Sequence, residues 1–295
     1  MRPAAPEPDA LLARCSFPAQ GSCVDLAVSG GPDSTGLAIL AVAAGLEATL
    51  HHVDHCLREG SDQDAAIVAA LAARLGARFE AHRVDVAPGG NLEARARAAR
   101  RGTLPPGALT GHTMDDQAET VLLNVLRGAG VDGLAGMSAA TKPMLRLRRA
   151  EVRAMVAATG VAVVVDATNF DLSLRRNVVR QRVLPELCAV AGRDLVPVLA
   201  RQAALARDDA DLLDDVVVAT VPDGADVATL RAAPAAVRRR SLRALVRARA
   251  PESHPPSAAE LERLEDVVQG RVVATELTGG RRVSRRNGRL NVDGG

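Results

Sequence analysis

Apolar residues follow two rhythms along this chain. Through about the first 190 positions, short apolar runs alternate with stretches of helical spacing; beyond that the helical spacing continues nearly alone. Val24–Val28 predicts a buried strand, SGGPDST (Ser29–Thr35) a tight glycine turn, and GLAILAVAA an apolar helix starting near Ser34. Ala48–Val53 predicts a second strand with His52, Asp54 and His55 at its end. Ser61 then caps a helix whose stripe is Val68, Leu71 and Leu75, closed by Gly76. Phe79–Val86 reads as a third strand, and NLEARARAARR as a helix capped by Asn91. Ala108–Thr110 is a short strand, and Thr113 an N-cap with Asp116 three residues on. Ala118, Val121, Leu122, Val125 and Leu126 make one apolar helical stripe after it. Val161–Val165 predicts another buried strand, followed by an arginine-rich helix to Leu187.

Strands alternating with helices imply an α/β fold, a Rossmann-like doubly wound parallel sheet. From residue 191 the pattern predicts a smaller, mostly helical domain. It ends in short strands around a GG turn (RVVATELTGGRRVSRRNGRLNV), so we read domains at 1–190 and 191–295. Apolar residues are 47% of the chain and aromatics 1%, so Ala, Val and Leu must fill the interior. The net charge of +2 gives no global attraction to nucleic acid. Basic surface must be local, at Arg238–Arg240 and at Arg281, Arg282, Arg285, Arg286 and Arg289. Lys142 is the sole lysine; arginine suits bidentate phosphate contacts, though a biased codon pool explains more of the richness. Four scattered cysteines without a CxxC pair argue against zinc-finger and iron–sulfur sites and fit reduced thiols. MRPAAPEPDALLARC lacks the apolar core of a signal peptide, and no segment approaches the roughly 20 apolar residues of a membrane span. We therefore expect a soluble cytoplasmic protein without membrane contact.

The chemistry concentrates at two places. In SGGPDST, Gly30 and Gly31 can take positive φ and aim successive amides at one anion, aided by the helix N-terminus that follows. Asp33 sets a carboxylate beside that anion, which suits a divalent metal bridging carboxylate and phosphate. GxxxxGK[ST] is absent, so this is not the usual phosphate loop. The second place is TGHTMDDQAET, where Asp116, Glu119 and Asn124 share a helix face with Asp115 and His112 at its mouth. First-turn carboxylates complement a helix dipole; three of them with a histidine exceed what capping requires. Further on, Arg175, Arg176, Arg180 and Arg182 are either a solvated helix or a phosphate or RNA contact.

SGGPDST resembles the PP-loop of ATP-pyrophosphatases. Together with HHVDHCLR, NLEARAR, TGHTMDDQAETVLLNVLRGAGVDGLAGM, KPMLRLRR and DATNFDLSLRRNVVRQRVLPEL, it resembles the bacterial tRNA(Ile)-lysidine synthetases over about Val24–Leu187. The C-terminal third resembles that family's tRNA-recognising domain loosely, and the length leaves no room for the extra terminal domain of some members. The resemblance implies a PP-loop, adenine nucleotide α-hydrolase-like fold and a C–N ligase. ATP with Mg2+ adenylates the 2-carbonyl oxygen of the wobble cytidine in an isoleucine tRNA with a CAU anticodon. Free L-lysine then displaces AMP, so that AUA is read in place of AUG. It further implies that Ser29, Gly30, Gly31, Pro32, Asp33 and Ser34 hold pyrophosphate, with Asp33 as metal ligand, and that His52, Asp54 and Arg58 line the nucleotide pocket. Asp116 and Glu119 would receive the lysine α-ammonium, and His112 or a nearby carboxylate would serve as base. Asp166, Thr168, Asn169, Arg175, Asn177 and Arg180 would contact tRNA or nucleotide. A homodimer is compatible with the family, and oligomeric state is not readable here. The chain departs from the family at Cys56 (usually Gly), Lys142 (usually Arg), and Gly102 and Leu174 (expected Tyr), removing stacking platforms for splayed bases.

Two other readings stand beside this one. Another PP-loop adenylating enzyme would be a tRNA thiolase, which needs a catalytic cysteine pair, or an amide-forming synthetase, which needs a glutaminase partner. A non-catalytic RNA- or ATP-binding module would need no acidic pocket of lysine size.

Overall fold

The computed structural model describes residues 6–54, 61–84, 102–164, 170–249 and 255–293. The expectations for His55, Cys56, Arg58, the helix at Asn91, and Val165, Asp166, Thr168 and Asn169 lie outside the described residues. The chain forms two compact units, Met1–Arg207 and Asp208–Gly295.

In the first unit, β1 (Cys23–Ala27), β2 (Glu47–Asp54), β3 (Arg78–Arg83) and β4 (Leu109–Thr110) form a parallel sheet in the order β3-β2-β1-β4. Five successive residues of β2, Ala48–His52, are buried, as expected of a parallel strand covered on both faces. The helix Pro32–Ala43 begins two residues before the expected Ser34, with Gly31 as its cap and Pro32 at the first helical position. Proline is at home there because the missing N–H has no intrahelical acceptor. Ser34 through Ala41 are all buried, so this helix is a core element rather than a surface one. Gly36 admits the helix Arg149–Thr159 against it: a Cβ at Gly36 would lie 2.3 Å from Val152 Cγ1. Leu26, Leu37, Leu40, Leu50, Val68 and Met155 form the surrounding core.

Two expectations change. Val161–Val164 adds no strand to the described sheet; Val164 N–H donates to Gly30 O (2.9 Å), and both edges of β1 are already taken by β2 and β4. The stripe of the helix Met114–Leu126 holds only in part. Ala118 and Val121 are buried, whereas Val125 and Leu126 are 52% and 70% exposed, and it is Asp116 and Glu119 that turn inward. The arginine-rich helix is continuous from Arg175 to Ala191, with a π turn at Val179–Val183. Pro185 accounts for the widened turn, since it has no N–H to donate and its ring crowds the carbonyl one turn back.

The second unit carries the helices Val227–Ala232, Ala235–Arg249 and Ala258–Gln269, and an antiparallel sheet β5 (Ala274–Leu277), β6 (Arg281–Arg286), β7 (Arg289–Asp293). Asn287 and Gly288 both have positive φ (52° and 74°), the backbone that a two-residue hairpin loop requires. Leu230, Leu242, Leu264, Val267, Val283 and Leu290 make a separate core. Acidic neighbours offset much of the expected basic surface here: Arg238 and Arg239 pair with Glu265, Arg240 with Asp214 and Arg289 with Asp223. Arg281 is buried and donates to Thr278 O (3.1 Å).

Candidate active site

The strand order reverses between β1 and β4, and in an open parallel sheet the crevice beyond the carboxyl ends at that point is where ligands bind. β1 runs into Ser29–Ser34, and β4 into Gly111–Asp116. Gly30 takes φ +82°, where a side chain would be strained and where a Cβ would also meet Val164 Cγ2 at 2.6 Å. Ser29 N–H donates to Ser34 Oγ (3.2 Å), which itself donates to Gly31 O (3.0 Å), so the turn is closed from inside. The two loops meet main chain to main chain: a Cβ on Gly111 would lie 2.6 Å from Asp33 O and 3.0 Å from Ser34 Cα.

Beyond Gly111, the helix Met114–Leu126 is capped as expected, with the Thr113 amide and hydroxyl both donating to Asp116 Oδ2 (2.8 Å each). Its other oxygen, Oδ1, accepts from Arg149 Nη2 (2.8 Å) and Arg176 Nη2 (3.0 Å). Glu119 is fully enclosed. Its Oε1 accepts from Arg149 Nη2 (2.9 Å) and Arg180 Nε (2.7 Å), its Oε2 from Arg176 Nε (2.9 Å) and Arg180 Nη2 (3.0 Å). Arg153 Nε and Nη2 donate to the two oxygens of Asp33 at 3.2 Å each, and Arg149 Nε lies 3.6 Å from Asp33 Oδ2. Asp115 completes the cluster, held by Arg148 Nε (3.2 Å) and the Arg149 amide (2.8 Å).

Burial alone would raise the pKa of Asp116, but Arg149, Arg176 and the Thr113 amide outweigh it and hold the carboxyl far below the usual range. Burial opposes ionisation of Glu119 in the same way; the Arg180 hydrogen bond and the Arg149 charge reverse it, against a smaller repulsion from Asp116. Arg149 is stabilised as a cation by Asp116 and Glu119 in spite of its own burial. Asp33, Asp116 and Glu119 are thus matched with Arg149, Arg153, Arg176 and Arg180 beside the glycine turn.

The structure brings Asp33, Asp116 and Glu119 together, with His112 next in chain to the cap and its Nδ1 2.8 Å from Thr110 Oγ1. His52 is buried and its Nδ1–H donates to Val28 O (3.0 Å), tying β2 to the end of β1. Asp54 is half-buried at the end of β2. Of the expected RNA contacts, Arg175 is exposed, but Arg180 is turned onto Glu119 and Asn177 is buried, donating to Asp171 O (2.8 Å). Sequence reasoning did not single out Arg149, Arg153 and Gly111. Arg149 and Arg153 stand four apart on one helix face, which was the available signal.

Residues 9–187, more than half of the chain, match the PP-loop domain family. A tRNA(Ile)-lysidine synthase from Salinispora tropica is 42% identical over 298 aligned positions, covering 90% of this chain and 89% of the relative. This chain belongs to the tRNA(Ile)-lysidine synthase family. A Nocardia farcinica member is 40% identical over 245 residues, covering 77% of this chain and 76% of its own. Among solved structures, the U34-tRNA thiolase NcsA from Methanococcus maripaludis superposes with a TM-score of 0.51 over 68% of this chain and 77% of its own. At 13% identity this shows a shared fold. The PP-loop family membership makes the protein an ATP user.

Proposed function

We propose that the protein joins free lysine to the wobble cytidine of the CAU-anticodon isoleucine tRNA, cleaving ATP to AMP and pyrophosphate. The observation that carries this reading is the 42% identity to a tRNA(Ile)-lysidine synthase along nine-tenths of the chain. In this reading Gly30, Gly31, Asp33 and Ser34 offer backbone amides to the pyrophosphate, and Arg149 and Arg153 add charge that stabilises the phosphoryl oxygens. Asp33 is a hard-oxygen donor at the helix start, and Arg153 uses one acceptor position on each of its oxygens. It fits a Mg2+ ion, which commonly takes one or two carboxylates plus substrate phosphates. When bound, that ion would neutralise charge on the phosphates.

The lysine site is proposed at Asp116 and Glu119. Because guanidinium groups already fill their acceptor positions, an incoming ammonium reaches them by displacing an arginine. His112 is the candidate to take the proton from the attacking amine, which in water ionises with a pKa of about 10.4. His52 and Asp54 flank the nucleotide side. Arg175 and the second unit are offered as the tRNA contacts. No helix among the described residues is long and apolar enough to cross a membrane, and we place the enzyme in the cytoplasm with its tRNA.

A thiolase reading finds less support. Cys15, Cys23 and Cys188 are free, and burial pushes the Cys15 thiol up to about 11 even with Arg14 nearby, which makes it a poor nucleophile at neutral pH. Incorporation of radiolabelled lysine into a CAU-anticodon isoleucine tRNA transcript tests the proposal. Label should enter the tRNA only with ATP and Mg2+ present, and Asp33→Ala should abolish both label and AMP. AMP release without lysine incorporation would keep the ATP chemistry and reject the nucleophile.

A further inference from the structure

A second cluster of ligating side chains lies on the sheet itself. Asp25, His51, Glu80 and His82 come from β1, β2 and β3. The register pairs His51 with Glu80 and Asp25 with Thr49, which puts all four on one face, opposite to His52. His51 Nδ1 is 2.9 Å from His82 Nε2 and 3.5 Å from Glu80 Oε2, and His82 Nε2 is 4.0 Å from the same oxygen. Two imidazole nitrogens and one carboxylate oxygen therefore converge on a single point. Tetrahedral zinc with bonds near 2.0–2.1 Å sets its donors about 3.4 Å apart, so a slight parting of the two rings admits the ion.

The feature that separates this from a chance meeting of polar groups is Asp25. Its Oδ1 accepts a hydrogen bond from His51 Nε2 (2.8 Å), and a carboxylate can only accept. The proton of the neutral His51 ring is therefore fixed on Nε2, and Nδ1 presents its lone pair to the cluster. A carboxylate holding the far nitrogen of a ligating histidine is the usual outer support of zinc sites. His51 is buried and held in place, while Glu80 is open to solvent and gives the ion a way in.

We propose that His51, His82 and Glu80 bind one zinc-class divalent ion, with Asp25 as the positioning residue and a fourth position left to water. His82 moves its Nε2 proton to Nδ1 when it ligates, so the exchange of the inter-ring hydrogen bond for metal bonds releases no proton. Two imidazoles with one carboxylate favour zinc over magnesium, which prefers oxygen ligands. The ion would bind β2 to β3, the strand at the end of the described sheet order. None of these four residues belongs to the PP-loop or the carboxylate helix.

The test uses the full chain stripped with chelator and titrated with Zn2+ by calorimetry and with Co2+ by visible absorption. We expect one equivalent of Zn2+, cobalt bands of a four-coordinate site with nitrogen ligands, and a melting temperature raised by Zn2+. His82→Ala should remove all three, and Asp25→Asn should weaken Zn2+ binding about 10–100-fold. Circular dichroism checks that His82→Ala is folded. If it is not, Glu80→Gln at a position 58% exposed replaces it and should weaken binding at least tenfold. Absence of binding to the wild type, or equal binding by the folded variants, overturns the site.

Discussion

Four hydrogen bonds from three arginines converge on the two oxygens of Glu119, a side chain with no exposed surface. Removing one member of such a buried ionic group costs more than the group contributes as a whole, because the remaining charges stay desolvated. Glu119→Gln should therefore lower the unfolding free energy by about 3 kcal/mol, read by urea denaturation at pH 7. A variant as stable as the wild type that only needs more lysine would make Glu119 a substrate contact and nothing else. The folded carboxyls of Asp116 and Glu119 titrate below their unfolded values, so their stabilisation is complete above about pH 4.3 and declines as the pH falls through the lowered values. At this scale the sequence was informative about residue types and less so about partners. Two carboxylates at i, i+3 were visible in TGHTMDDQAET, and Asp116 serves the cap with one oxygen while the other accepts from Arg149 and Arg176. The cation that bridges them, Arg149, stands 30 residues beyond Glu119, and no local pattern links the two.

Elements were legible where local chemistry decides them. Thr113 and Ser257 start helices as their hydroxyls suggest, and Gly76 and the Gly279–Gly280 pair end elements with positive φ. The misses came from partners. Val161–Val164 reads as a strand, yet its described bond is Val164 N–H to Gly30 O (2.9 Å); the third strand, expected over Phe79–Val86, is described to Val84, whose amide donates to Asp54 O (2.9 Å). Glu260 gives the clearest consequence. Its Oε2 accepts from the Ser257 amide and hydroxyl (2.8 Å each), and its Oε1 from the Thr278 amide (2.7 Å), so one carboxylate caps a helix and fastens the turn after β5. The Thr278 bond first, then the two from Ser257, outweigh burial and bring its pKa to about 2 from 4.5. A depressed carboxyl stabilises the fold above its unfolded pKa, so this contribution is lost as the pH falls from about 4.5 to about 2. Glu260→Gln should cost about 1 kcal/mol at pH 7 and flatten the acid dependence of the second unit over that window, measured by circular dichroism.

On the scale of the whole molecule, the chain has two separately built cores, one around Leu37 and Leu50 and one around Leu264 and Leu242. Truncating a fully buried leucine costs about 2–5 kcal/mol. Leu264→Ala should accordingly split thermal unfolding into two steps, the lower belonging to the second unit. A single transition displaced as a whole would mean that the two cores melt together. The sequence indicated two regions from the change in apolar rhythm near residue 190. The first compact unit runs on to Arg207, where Val196 and Leu199 pack with Ala118 and Leu184. The order of the strands was beyond local reasoning, since nothing in LT at residues 109–110 says that it lies beside β1 and reverses the sheet's winding.

The contact of Gly111 with the backbone of Asp33 and Ser34 has a mechanical consequence. The two loops close on each other with no room for a side chain between them, so any residue larger than glycine at position 111 would push the Asp33–Ser34 backbone aside. In the proposed reaction the arginine side chains are the parts that rearrange, leaving one carboxylate for another or for a phosphate. Asp33, Asp116 and Glu119 act as moorings for the guanidinium groups of Arg149, Arg153, Arg176 and Arg180.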